Sequence, residues 1–211
     1  MHNIIHMLLE NFYHFGAKML IRMVYKCEFT GFDNIPETGP AVIIANHVSY
    51  MDGLIMNSAC KRNIRFIIDE DIYNQPFVHY FMKMDRAIPI KPTKEAVKRA
   101  LAMASEALQN GEIVAIFPEG QITYSGYMSR FKFGVEWILK NDKVPVIPIA
   151  LIGLWGSIFS RKYLGEPKWK RFIPRYFRKS VKAVCGPPIP PDQATINNLQ
   201  RVLMKLYEVN L

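Results

Sequence analysis

The side chains best placed by type and spacing to do chemistry are His47 and Asp52 in "IANHVSYMDG" and Glu119 in "IVAIFPEG". An imidazole held by a carboxylate is a general base near neutral pH. The carboxylate fixes one ring nitrogen and stabilises the imidazolium, and the other nitrogen takes a proton from a substrate hydroxyl. A plainer assignment uses the same residues. Ser49 and Asp52 have the S-x-x-D spacing of a capping box, which would make Asp52 a helix cap and His47 a loop residue. The spacing alone does not choose. The second stretch shifts the balance: Phe117 closes an apolar run, Pro118 forces an extended turn, and Glu119 follows, with Gly120 permitting close backbone approach to a ligand. No G-x-S-x-G elbow or cysteine nucleophile motif is found, so a covalent mechanism is disfavoured. The metal-ligand spacings are lacking too, so no metal or other cofactor is expected.

These groups need elements that bring them to one place. "AVIIAN", "RFIID", "AIPIK", "EIVAIF", "VPVIPIALI" and "VKAVCG" read as short buried strands. Residues 50–60 and about 193–209 read as helices. Between them, Ala96, Val97, Ala100, Leu101, Ala104, Ala107 and Leu108 recur at helical spacing, with Thr93 as N-cap and Gly111 as the stop. Alternating short strands and amphipathic helices predict an α/β sandwich around a largely parallel mixed sheet. In such sheets ligands bind at the carboxyl ends of the strands, where His47 and Glu119 would both lie.

The 211 residues suit one domain, and half of them are hydrophobic. Cys27, Cys60 and Cys185 are far apart, which argues against a disulfide scaffold and for reduced thiols. The net charge of +9 is concentrated: residues 157–182 hold nine Lys or Arg against Glu166 alone. Seven aromatics from Trp155 to Phe177 interleave with these cations. The segment is either a solvated face or a site for an anionic surface. No nucleic-acid-binding motif accompanies it, which weighs against nucleic acid. Residues 1–30 are expected to form an amphipathic helix preceding a domain at 31–211. On that helix Ile5, Leu8, Leu9, Phe12, Met19, Leu20 and Met23 oppose Glu10, Lys18, Arg22 and Lys26. It either packs on the domain or lies in a membrane interface; no signal peptide or spanning run is read.

Taken in order, these blocks resemble the phospholipid and glycerol acyltransferase family, typified by 1-acylglycerol-3-phosphate acyltransferases. Its N-H-x-S-x-x-D block matches Asn46, His47, Ser49 and Asp52, and its F-P-E-G block matches Phe117, Pro118, Glu119 and Gly120. "IPIK" is similar to a block that closes on a basic residue, and places Lys91 there. "SRFKFG", with Lys132 and Gly134, is like the segment after F-P-E-G, and "VPVIPIAL" looks like the last block. The family usually continues F-P-E-G with threonine and arginine, where this chain has Gln121 and Ile122. In that respect "FPEGQITYSG" resembles the acyltransferase domain of bacterial 2-acylglycerophosphoethanolamine acyltransferases.

The resemblance implies a glycerol-phosphate acyltransferase-like fold and direct acyl transfer. His47, held by Asp52, would deprotonate a glycerol hydroxyl that attacks the thioester of acyl-CoA or acyl carrier protein, the co-substrate. Lys91 and Arg86 would hold the acceptor phosphate, Glu119 would accept from acceptor hydroxyls, and the Gly120 backbone would close the site. The expected acceptor is a head-group-carrying lysophospholipid on the cytoplasmic side of an anionic membrane. Strict 1-acylglycerol-3-phosphate acylation is the alternative, and a non-catalytic lipid- or nucleic-acid-binding module is a third reading.

Overall fold

The computed structural model describes residues 16–157, 159–163 and 178–211. Seven strands form one sheet: β1 (Tyr25–Thr30), β2 (Ala41–Ala45), β3 (Ile64–Asp69), β4 (Ile88–Ile90), β5 (Ile113–Ile116), β6 (Val146–Ile152) and β7 (Lys179–Cys185). Their spatial order is β1-β7-β6-β2-β5-β3-β4. From β6 to β4 all neighbours are parallel, whereas β7 runs antiparallel to β6 and carries β1 parallel to itself. The expected largely parallel mixed sheet is therefore present.

Each face of the sheet buries its own core, as the period-2 alternation of strand side chains requires. Ala41, Ile43 and Ala45 of β2 face Ile55 and Met56 of α2 (Asp52–Ala59). Val42 and Ile44 face the other cluster, with Ala100 and Ala104 of α5 (Lys94–Gln109), Val135 of α6 (Gly134–Asn141) and Leu199 of α7 (Ile196–Val209). All five residues of β2 are buried, so its continuous aliphatic run is that of a strand covered on both faces. Helix α5 starts as its sequence predicts, with Thr93 Oγ1 accepting from the Ala96 amide at 3.3 Å. The short helices α3 (Glu70–Tyr73) and α4 (Pro76–Met84), together with α6, were not expected from sequence.

The N-terminal helix expected over 1–30 ends earlier. Within the described residues it spans 16–24 (α1), and Tyr25–Thr30 is the edge strand β1. Tyr25, Cys27 and Phe29 turn inward and alternate with outward Lys26, Glu28 and Thr30, a strand period that replaces the helical one. On α1, Ile21 is buried while Met19, Leu20 and Met23 are exposed. Residues 1–15, and with them the first half of that helix, lie outside the described residues, as does 164–177 of the basic segment.

Candidate functional site

Strand β2 ends at Ala45 and delivers His47 to the carboxyl edge of the sheet, one strand from the end of β5, which delivers Glu119. The His47 ring donates or accepts through Nδ1 at 2.8 Å from Asp52 Oδ2. The same Oδ2 accepts the Val48 and Ser49 amides at 2.7 and 3.0 Å. Asp52 is fully buried, so its charge is compensated by three hydrogen bonds on one oxygen. Both contacts that the spacing allows are thus present: Asp52 caps the turn and meets the imidazole. The helix begins at Asp52 rather than at Ser49, and Ser49 Oγ accepts from the Met51 amide at 3.2 Å.

Phe117 lies against His47, ring centroids 4.0 Å apart and planes 11° from parallel. It fixes the plane of the imidazole from one side. With Nδ1 occupied, Nε2 is the ring atom left for proton transfer, and the side chain is about one-fifth exposed.

The Glu119 carboxylate, expected to accept from an acceptor hydroxyl, is engaged within the protein. Its Oε1 accepts the His47 amide at 2.7 Å and its Oε2 the Ser129 amide at 2.6 Å, and the residue is 2% exposed. It is a strut that ties the loop after β5 to the loop after β2. Burial pushes its carboxyl above the ordinary 4.5, and the two amide hydrogen bonds pull it part of the way back. Thr123 adds a second tie, its amide donating to the His47 carbonyl at 2.8 Å. Neither Thr123 nor Ser129 carried any signal in the sequence.

Asn46 is likewise internal. Its amide group bonds both the carbonyl and the amide of Leu151, at 2.9 and 2.7 Å, extending the β2–β6 pairing through a side chain. Asn46 and Ser49, expected at the substrate, are both buried and bonded within the protein. Pro118 is buried, and its carbonyl accepts the Lys132 amide at 2.8 Å. Gly120 has φ +66°, and a Cβ there would fall 2.9 Å from Lys132 Cδ and Nζ. The close approach that this glycine permits is that of the Lys132 stem, which brings an exposed ammonium to the edge of the site.

The expected phosphate ligands separate. Arg86 lies at the amino edge, remote from His47: it pairs with Glu112 at 2.6 Å just before β5, and its carbonyl accepts from Arg65 near the start of β3. Lys91 stands at the carboxyl edge after β4, but three strands from β2, roughly 14 Å away. Its ammonium is 3.2 Å from Asp71. A cation that sequence reading placed only in the basic segment comes closer. Arg161 Nη1 donates to the Ile122 carbonyl at 3.0 Å, and its guanidinium lies 4.4 Å from the Tyr124 ring centroid. The loop that carries it is joined to the His47 turn by a Ser49–Ser160 bridge and a Tyr50 amide bond to Phe159.

A family profile described as Acyltransferase matches residues 26–152. The chain is 32% identical over 154 residues to the chloroplastic 1-acyl-sn-glycerol-3-phosphate acyltransferase LPAT1 of Arabidopsis thaliana, covering 68% of this chain and 42% of that protein. It is 30% identical over 125 residues to the 1-acyl-sn-glycerol-3-phosphate acyltransferase of Pseudomonas aeruginosa, covering 58% and 48%. The chain thus spans under half the length of these curated relatives. The crystal structure of the 1-acyl-sn-glycerophosphate acyltransferase PlsC from Thermotoga maritima superposes with a TM-score of 0.75 at 20% identity, covering all of this chain and 81% of that one. That likeness shows the fold.

Proposed function

The chain belongs to the acyltransferase family, and on that premise we propose that it transfers a fatty acyl group from a thioester to the free glycerol hydroxyl of 1-acylglycerol-3-phosphate. The observation that carries this reading is the His47–Asp52 contact at 2.8 Å, made by a fully buried carboxylate. In the proposed reaction Nε2 takes the hydroxyl proton, the alkoxide oxygen attacks the thioester carbonyl, and the C–S bond breaks as the ester forms. The proton then passes from the imidazolium to the leaving thiolate, so no group is consumed. General-base assistance of this kind is worth roughly 10² to 10⁴ in rate. The donor is an acyl thioester of CoA or of carrier protein.

Sequence reading favoured an acceptor with a head group, because Ile122 stands where the family has arginine. Two observations favour the bare phosphate instead. Relatives carry the 1-acylglycerol-3-phosphate name, and Arg161 brings a guanidinium to the backbone of Ile122 itself. With Lys132 it offers the acceptor phosphate two cations beside the His47 turn.

The rim of the site suits a lipid surface. Tyr50, Tyr124, Tyr127, Phe133 and Phe159 are exposed around it. Arg130, Lys132, Arg161 and Lys162 are their charged companions, and residues 120–135 and 154–163 include no acid. Amphipathic rings and cations sit well at an anionic interface, each cation contributing about 1 kcal/mol. No helix among the described residues is long and apolar enough to cross a membrane. Docking through this rim and the exposed Met19, Leu20 and Met23 of α1 would let the acceptor reach His47 without leaving the bilayer. The deciding test is thiol release from an acyl thioester with 1-acylglycerol-3-phosphate or lysophosphatidylethanolamine in mixed micelles. Faster release with the phosphate acceptor is expected; preference for the ethanolamine acceptor would restore the head-group reading.

A further inference from the structure

Helices α5 and α6 lie on the same face of the sheet, both packed into the cluster that holds Val42 and Ile44. Between them runs a groove of about 740 Å³, the size of a small-molecule site. Val97 and Leu101 of α5 and Trp137 of α6 give it apolar walls, and Lys94 and Lys98 line it one helical turn apart. No acid lines it. Trp137 is 48% exposed, so half of a large indole is left uncovered. The neighbouring cations are engaged: Lys91 meets Asp71 at 3.2 Å and Arg99 meets Glu70 at 3.6 Å. Lys94 and Lys98 have no such partner among the described residues.

One end of the groove opens at the edge of the sheet that carries His47. Pro92 and Thr93, which line that end, follow β4 at its carboxyl end. At the far end Ser105 donates to Asp142 at 2.9 Å. The other wall leads back to the site along α6. Trp137 comes one turn after the exposed Phe133, and Phe133 follows Lys132, whose stem approaches Gly120.

A half-bare indole beside two unpaired ammonium groups suits a ligand with a base to stack and phosphates to neutralise. We propose that this groove holds the nucleotide end of coenzyme A, its adenine against Trp137 and its phosphates at Lys94 and Lys98. The inference rests on the acyl-transfer reading and specifies its donor. The span fits. β4 lies three strands from β2, roughly 14 Å at the ordinary strand spacing. The pantetheine arm contains two amide units, like a short peptide. It runs roughly thirteen bonds from sulfur to phosphorus, about 15 Å when extended. The thioester therefore reaches the end of β2 while the nucleotide stays in the groove. Lys132 and Arg161 are left for the acceptor, so the donor and acceptor phosphates have separate cations.

The Lys94→Gln, Lys98→Gln double variant changes only exposed side chains, which leaves the fold in place. Coenzyme A binding is read from quenching of Trp137 fluorescence, with Trp137→Phe identifying that signal among the three tryptophans. The wild type is expected to be quenched. The double variant is expected to bind coenzyme A roughly tenfold more weakly, the worth of two exposed ion contacts. KM for palmitoyl-CoA should rise by the same factor, and KM for S-palmitoyl-pantetheine, which lacks the nucleotide, should not move. An equal rise with both donors overturns the proposal, as does a wild type that uses palmitoyl carrier protein and binds no coenzyme A. The binding readout separates the two levels. Acyl transfer with coenzyme A affinity unaltered in the double variant overturns this inference alone. Coenzyme A binding that weakens in the double variant, in a protein that transfers no acyl group from any donor, upholds the groove and overturns the proposed function.

Discussion

The main-chain amide of His47 donates to the carboxylate of Glu119 at 2.7 Å, across 72 residues of chain. The two most specific sequence blocks are thus joined by a structural hydrogen bond. In Glu119→Gln one carboxylate oxygen becomes an NH2 group, which cannot accept from a backbone amide. Loss of one clamp bond at a buried site is expected to cost about 1–3 kcal/mol, measured by urea unfolding, and to lower turnover by loosening the His47 turn.

The same residue sets a pH dependence. Burial raises the Glu119 carboxyl above its ordinary 4.5, so the folded state binds this proton more tightly than the unfolded chain. Its contribution to stability is fully present below 4.5 and is lost as pH rises through the elevated value. Unfolding free energy measured against pH should fall across that window in the wild type, and the fall should be smaller in Glu119→Gln.

Asn46 makes its case through stability alone. Asn46→Ala leaves the Leu151 amide and carbonyl at the end of a buried ladder without partners. A loss of roughly 2–4 kcal/mol is expected for the two bonds, with KM for the acceptor unchanged in protein that remains folded. A raised KM with unaltered stability would return Asn46 to the substrate.

Arg161→Gln tests the acceptor phosphate. The glutamine can still donate to the Ile122 carbonyl but carries no charge. KM for 1-acylglycerol-3-phosphate is expected to rise about tenfold, while kcat stays within a factor of a few. An equal change for an uncharged monoacylglycerol acceptor would contradict the assignment.

The thiols should be silent. Burial pushes all three up, Cys185 to about 12, and Cys60 and Cys185 are buried. Iodoacetamide at pH 8 should leave the activity of the folded protein intact. Inactivation in step with labelling of one cysteine would argue for a thiol in the chemistry.

The strands that carry His47 and Glu119 were legible because a parallel strand covered on both faces is written as an unbroken aliphatic run, as in "AVIIA" and "IVAI". β1 was not, because Lys18, Arg22 and Lys26 keep a helical spacing through its first residues and only three side chains alternate inward afterwards. At the site, residue identity was legible but occupancy was not. Glu119, Asn46, Arg86 and Lys91 all looked free to meet a substrate. Their partners are Ser129, Leu151, Glu112 and Asp71, of which only Ser129 was within a dozen residues of its mate with no spacing to signal it. Arg161 was hidden for the same reason, since its relation to Ile122 spans 39 residues.

The central claim is that His47 is the base. The most direct test is acceptor-dependent thiol release from palmitoyl-CoA and from palmitoyl carrier protein, with 1-acylglycerol-3-phosphate in micelles, for wild type and His47→Ala. The account predicts release that requires the acceptor and falls by about 10² or more in the variant. Release by His47→Ala at the wild-type rate, or no acceptor-dependent release from folded wild-type protein with either donor, would contradict it.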